Sequence, residues 1–429
     1  MGIFTTEGES LGVLRSIKKF FKNVGPGIVT GSSDDDPSGI ATYSQAGAQA
    51  GYGFLWSALL TFPLMVSIQE MCARIGLATG KGLAGNLRDH FPKPVLYFLT
   101  LLVLIGSTIN IGADLAGMSA AANLLLPLPT MAWIVIFSLV VVLSMVLLPY
   151  HRFAAVLKWL TFGLLAYILV PFATQVDWGE VAVATLIPRL EWNKESILIL
   201  VAILGTTISP YLFFWQASME VEEERDKKPM KNWVVTKHEI KLMREDVSFG
   251  MFISNVVMMF IMIATATTLF RNGITNIESA EQAASALRPF AGDGAYLLFA
   301  LGIIGTGFLA VPVLAGAASY AISEIFGWRE GFDNEFTKAK GFYLVVIAST
   351  LIGASLSFLG VNPISMLIYT AVIYGMIAPV LILFIWILAN KKEVMGDKKN
   401  GWLSNWVVGL TFVLMTAAAL TLLKFQFFS

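Results

Sequence analysis

The stretch Ser32-Ser33-Asp34-Asp35-Asp36-Pro37-Ser38-Gly39 decides how this chain is read. It sets three consecutive carboxylates and a proline inside an apolar run, and about 20 mostly apolar residues are enough to cross a bilayer. Proline removes a backbone donor and displaces the carbonyl four residues back, while the adjacent serine and glycine let the chain unwind. A freed carbonyl in hydrocarbon must find a partner, so unwound backbone persists only where it lines a cavity or binds something. One proline kink is common in membrane helices and reads as structure. A second interruption, Ser209-Pro210, lies near the middle of another apolar run, and the pair reads as a binding site near the midplane.

The rest of the chain is built for lipid. Of its 429 residues 56% are hydrophobic and 14% charged, against roughly 25% charged in soluble domains. Mean hydropathy is +0.72. This composition excludes an ordinary cytosolic enzyme, a disordered protein and a nucleic-acid binder. Lys plus Arg and Asp plus Glu number 29 each, so net charge points to no acidic partner. One cysteine, Cys72, excludes an intrachain disulfide and a cysteine-based metal site, and three histidines leave little for a His-ligated zinc. No cofactor and no obligate protein partner is implied; the bilayer is the partner.

Eleven spans are expected, at about 25–47, 53–76, 95–126, 131–149, 153–173, 197–220, 248–270, 295–324, 342–360, 364–390 and 404–426. Arg15, Lys18, Lys19 and Lys22 lead straight into the first, so no cleavable signal peptide is expected. With the N-terminus in the cytoplasm, 24 of the Lys and Arg residues fall inside, seven of them in a loop at 221–246. Only Arg189, Lys194, Arg271, Arg288 and Lys424 fall outside. That asymmetry predicts a multi-pass plasma-membrane protein with its C-terminus outside. The 221–246 loop opens with Glu222-Glu223-Glu224-Arg225-Asp226 and reads as a solvated connection, Trp233 and Trp402 as interfacial anchors. His90, His151 and His238 fall in cytoplasmic loops, which leaves no histidine proton relay within the spans.

The first ten spans overlay as two halves. Pro37 matches Pro210, and Leu115-Ala116-Gly117-Met118-Ser119 faces Leu314-Ala315-Gly316-Ala317-Ala318. Each half has an odd number of spans, so the halves enter the membrane in opposite senses. A single transmembrane domain over 1–429 is expected, with repeats at about 25–173 and 197–390 and an extra helix at about 404–426.

Asp34, Asp35, Asp36 and Asp114 are the acids placed within spans. A buried carboxylate is costly and marks a functional site by default. Four in close company cannot all stay ionised without a cation or protons. Asp36, immediately before the Pro37 break, is the best candidate ligand. Asp35 points about 100° away on a helix and is placed on an outer water path. Asp34 is read as a cap or a solvent-facing residue. Asp114 either pairs with a polar neighbour such as Asn110 or serves a proton path. The opposed half-helix C-termini add partial negative charge for a cation.

Gly25-Pro26-Gly27 through Asp36-Pro37, then Ser44-Gln45-Ala46-Gly47-Ala48-Gln49-Ala50-Gly51-Tyr52, resembles the first span of the Nramp divalent-metal transporters. Ala73-Arg74-Ile75-Gly76-Leu77-Ala78-Thr79-Gly80-Lys81 is similar to the end of their second. With eleven spans and a broken sixth helix, the resemblance covers most of the chain. It implies an all-α LeuT-type fold, a 5+5 inverted repeat with helices 1 and 6 broken, and alternating access.

The departures are informative. The family's Asp-Pro-Gly-Asn is here Asp36-Pro37-Ser38-Gly39, which keeps the aspartate and loses the amide ligand. Its Met-Pro-His is here Ser209-Pro210-Tyr211, so the soft thioether becomes Ser209 and the first histidine Tyr211. A second family histidine aligns with Gln216, and the glutamine of span ten with Ala371. Asp114 matches the family's aspartate, but the acid three residues on is Gly117. This pattern resembles the magnesium-transporting branch of the family. Carboxylate, hydroxyl and carbonyl oxygens suit magnesium and manganese, whereas a thioether favours softer metals. The resemblance implies ligation by Asp36, with Ser38, Gly39, Thr206 and Ser209 supplying oxygens directly or through water. Asp35, Tyr211, Asp114, Gln216 and Ala371 are secondary candidates. Two rivals remain within transport, a proton-coupled Mn2+/Fe2+ carrier and an organic-solute carrier of the same fold. A receptor or membrane enzyme finds no nucleophile–base set to support it.

Overall fold

Lipid leaves a backbone no hydrogen-bond partner but itself. In the computed structural model, which describes residues 25–148, 164–227 and 233–427, the regular structure among the described residues is accordingly all helical. The principal helices are α1 (Pro26–Asp34), α2 (Pro37–Ala50), α3 (Leu55–Thr79), α4 (Leu83–His90), α5 (Lys93–Asn123), α6 (Thr130–Leu147), α7 (Leu165–Ala173) and α8 (Trp178–Leu186). They continue with α9 (Lys194–Thr207), α10 (Pro210–Lys227), α11 (Lys237–Thr268), α12 (Ala295–Phe326), α13 (Lys340–Leu356), α14 (Pro363–Asn390) and α15 (Trp402–Phe427).

Among the described residues nine helices are long and apolar enough to span a membrane. The difference from eleven has two sources. The first expected span is two helices, α1 and α2, each too short to cross alone. The fifth, 153–173, falls largely outside the described residues, of which α7 is the remainder. Both α1 and α2 open on a proline, where the missing N–H is an orphan in any helix.

The broken helices sit in the middle. Over the continuous segment Lys194–Arg225, 89% of the most apolar window is buried, against 28% for α6 and for α15. α1 and α2 lie on α11, α9 lies on α14, and α10 runs between α3 and α12. α5 closes the side of α2 and packs on α12, α13 and α14. Small residues allow these approaches, since in lipid helix association depends on close van der Waals contact. A Cβ on Gly205 of α9 would lie 2.0 Å from the Ala371 carbonyl of α14, and one on Gly31 of α1 2.3 Å from the Gly250 carbonyl of α11.

The 221–246 loop is shorter than its sequence implies. Glu222 to Asp226 form the last turns of α10, and α11 starts at Lys237. Glu, Arg and Lys are good helix formers, so both helices continue past their apolar segments. A capping box, Thr236 with Glu239, starts α11 and was legible in the spacing. His238 is therefore helical rather than in a loop, and His90 ends α4 with Nδ1 2.9 Å from the Asn86 carbonyl. His151 lies outside the described residues. Trp402 is 79% exposed, as an anchor would be, but the half-buried Trp233 donates from Nε1 to the Leu77 carbonyl at 2.8 Å and closes the end of α3.

The Gly205 contact generates a test. Gly205→Val should lower stability by about 3 kcal/mol or more, the upper end of core overpacking. Gly294→Ala, at φ −73° with open space around a Cβ, should stay within about 0.5 kcal/mol. Thermal midpoints of the purified variants in detergent measure both.

Candidate metal-ion centre

Four helix ends meet where the two broken helices are interrupted. α1 ends at Asp34, with Asp35 as its C-cap and Asp36 extended before Pro37. α9 ends at Thr207, with Ile208 as C-cap and Ser209 before Pro210. The C-terminal ends carry unpaired carbonyls and partial negative charge, the N-terminal ends unpaired N–H groups.

Asp36, 1% exposed, caps α2. Its Oδ1 accepts from the Gly39 N–H and from the Ser38 hydroxyl, both at 2.7 Å, and its Oδ2 accepts from Asn110 Nδ2 of α5 at 2.9 Å. The breaks are tied to each other. Tyr211 OH donates to the Ser33 carbonyl at 2.9 Å, and Tyr43 OH lies 3.0 Å from Thr207 Oγ1. The Ser209 hydroxyl donates to the carbonyls of Thr206 and Gly205. A Cβ on Gly39 would lie 3.2 Å from Thr206 Oγ1, so that hydroxyl lies against the backbone just beyond Pro37.

Asp34 and Asp35 are buried rather than solvent-facing. Ser254 Oγ of α11 approaches Asp34 Oδ2 at 2.8 Å and Asp35 Oδ1 at 3.3 Å. The cause is the close seat of α1 on α11 at Gly31 and Gly250, which turns the end of α1 towards Ser254. Asp35 is only 4% exposed, so it does not line an open water path. Both acids stand at a helix C-terminus, where they add to the partial negative charge instead of opposing it. Among the described residues none of Asp34, Asp35, Asp36 and Asp114 has a salt-bridge partner. Unpaired carboxylates in so dry a place call for a cation or for protons.

Asp36, Ser38, Gly39, Thr206 and Ser209 thus gather at the two breaks, with Tyr211 tying them together. Asp114, one turn beyond Asn110 on α5, is near enough to Asp36 to feel its charge. Gln216 does not reach the breaks: it donates to Glu220 Oε1 at 2.9 Å and accepts from the Thr30 hydroxyl, between α1 and α10. Six residues of helix separate it from Pro210, about 9 Å of rise. Ala371 is fully buried and brings only its carbonyl, over Gly205. The thioether of Met258 takes the Thr207 hydroxyl at 3.8 Å. Among the described residues no group of three or more His, Cys, Asp and Glu is placed to hold a metal ion. One carboxylate with hydroxyls and backbone oxygens is the chemistry of a hard ion that keeps water.

A cavity of about 1580 Å3, lined by Gln45, Gln49, Tyr52, Asp177, Glu180 and Arg271 among others, opens at the far end of α2. Gln45 closes its inner side, donating from Nε2 to the Thr275 carbonyl at 3.0 Å and accepting the Ile277 N–H at 2.9 Å. Sequence reasoning did not pick out Ser254 or Gln45 as site residues. Asn110 was legible four residues before Asp114.

Residues 27–424 match the family described as Natural resistance-associated macrophage protein-like, Nramp. The chain belongs to the Nramp family. Similar relatives include the divalent metal cation transporter MntH of Klebsiella pneumoniae (strain ATCC 700721 / MGH 78578), 26% identical and covering 91% of this chain and 90% of the relative. The MntH of Caldanaerobacter subterraneus is 25% identical, covering 89% and 87%. Among solved structures, the Eremococcus coleocola manganese transporter aligns with a TM-score of 0.76 at 18% identity over 95% of this chain and 87% of that one. Mhp1, a nucleobase-cation-symport-1 family transporter, aligns at 0.58 with 13% identity over 94% and 92%. The fold is therefore the LeuT-like one shared across Nramp proteins and more distant transporters.

Tyr211→Phe tests the tie between the breaks. It keeps the ring against Tyr374 and leaves the Ser33 carbonyl without its donor, at an expected cost of about 1–3 kcal/mol. An unchanged thermal midpoint would mean that the two interruptions are not held together there.

Proposed function

We propose that this Nramp-family protein carries divalent cations by alternating access, taking up Mg2+, tolerating Mn2+, and requiring no proton coupling. The observation that carries this reading is the donor set at the breaks: Asp36 with hydroxyl and backbone oxygens, and serine where the family motif has methionine. Magnesium dehydrates reluctantly and is usually held through one or two carboxylates with several waters retained. That relatives are named as divalent metal cation transporters supports a metal ion over an organic solute as substrate. Three adjacent aspartates also disfavour an anionic solute.

With no histidine at either break, the membrane potential is the available drive, about 4.6 kcal/mol for two charges at 100 mV. The charge asymmetry supports a plasma-membrane orientation with the N-terminus inside and the C-terminus outside. Repeats at 25–173 and 197–390, with α15 as the extra helix, fit the same reading. Nothing in it requires enzyme chemistry or a resident cofactor. The rival, a proton-coupled Mn2+ or Fe2+ carrier, draws on the manganese transporter of like fold and on Met258 beside Thr207.

Uptake into proteoliposomes at fixed potential, with internal pH recorded, separates the two. Mg2+ entry without acidification is the expected result. No Mg2+ entry, with acidifying Mn2+ or Cd2+ uptake, would favour the rival. Asp36→Ala should abolish Mg2+ uptake, and Cd2+ should compete weakly because serine stands at 209 where the family motif has its thioether.

A further inference from the structure

Thr100, Ser107, Asn110 and Asp114 recur on α5 at intervals of seven, three and four residues, which places them along one face of the helix. All four are at most 2% exposed. Elsewhere on α5 buried hydroxyls bond back to their own helix, Thr108 to the Leu104 carbonyl at 2.7 Å and Ser119 to the Leu115 carbonyl at 2.8 Å. Along this face they do not. Thr100 Oγ1 and Asn110 Oδ1 pair with no described protein group, and no described side chain reaches the Asp114 carboxylate, whose protein neighbour is the Ser38 backbone N–H. Tyr374 OH, whose ring lies against Gly106, faces the Ser107 hydroxyl.

The orientation of Asn110 follows from chemistry. A carboxylate without its proton only accepts, so the NH2 must face Asp36 and the Oδ1 must be the free atom. Asn110 Oδ1 and the Asp114 carboxylate are acceptors. A metal ion's bound waters present their hydrogens outward, so this face matches the outside of a hydrated cation and mismatches an anion. Buried acceptors left unmatched each cost a few kcal/mol, which makes these three oxygens within about one turn of one helix hard to explain as packing.

The geometry points to a second wall of the ion site on α5, in which Asn110 Oδ1 and the Asp114 carboxylate accept hydrogen bonds from waters retained by a divalent cation bound at Asp36. Asn110 then supplies, from α5, an amide oxygen in the neighbourhood where position 39 carries none. A side chain at position 39 would crowd Thr206 Oγ1 and the Asp34 carbonyl, each 3.2 Å from its Cβ position. This inference rests on the divalent-cation reading above and names the groups that handle the hydrated form.

Mg2+ uptake by Asn110→Ala, Asn110→Asp and Asp114→Asn in proteoliposomes, with internal pH recorded, tests it. Asn110→Ala and Asp114→Asn should each raise the KM for Mg2+ about tenfold or more, with internal pH as steady as in the parent. Asn110→Asp, protonated on the oxygen that faces Asp36, should keep KM within about threefold, because its other oxygen still accepts from water. A KM in Asn110→Asp raised as far as in Asn110→Ala would overturn the inference. It would equally be overturned by parental KM in Asn110→Ala or Asp114→Asn. If Asn110→Ala does not fold, Asn110→Ser carries the same expectation. No Mg2+ uptake by the parent would sink the carrier reading itself; parental uptake with unchanged KM in the α5 variants would sink only this one.

Discussion

The structure depends on how one carboxylate satisfies a broken helix. Interrupting a span exposes N–H groups on one side and carbonyls on the other, in a place where water is scarce. Asp36 answers the first need by capping α2 through Gly39 and Ser38. Tyr211 and Ser209 answer the second, donating to Ser33 and to Thr206 and Gly205. The cap that makes the break tolerable is thus also the charge that makes it a site. This double role explains why the aspartate stands directly before the proline: a cap must be the residue preceding the first helical turn.

The negative charge at the break is larger than capping needs. Asp34 and Asp35 lie at the C-terminus of α1, where the helix dipole already disfavours acids, and share one hydroxyl, Ser254. Carboxylates so placed are relieved by positive charge, whether a proton or a cation. In a carrier that relief is the useful part, because a cargo shifts a conformational equilibrium only by as much as it binds one state better than another.

Much of this was legible in the sequence because membranes impose few choices. Apolar runs, two prolines at matching places and the run of aspartates gave the all-helical fold, the breaks and Asp36. What escaped depends on long-range packing. Whether Asp34 faced solvent or a partner was decided by Ser254, 220 residues away, through glycine contacts that no local pattern encodes. Gln216 aligned with a family ligand, yet the run of α10 carried its side chain to Thr30 and Glu220. The extensions of α10 and α11 escape because charged residues signal both solvent and helix, and only for α11 does a local signal, the capping box at Thr236, mark the helix.

The substitutions at the breaks make sense together rather than singly. With no side chain at Gly39, Thr206 can approach the start of α2; with serine at 209, the break bonds to its own carbonyls instead of offering sulfur. Removing an amide and a thioether takes away direct ligands and leaves a carboxylate flanked by small groups. A metal that must be stripped of water gains little from such a place. A metal that keeps its water would lose little if, as proposed, the oxygens on α5 accept from the outer face of its shell. On that proposal the ion's hydration, and not an added ligand, is the feature by which the site would recognise it.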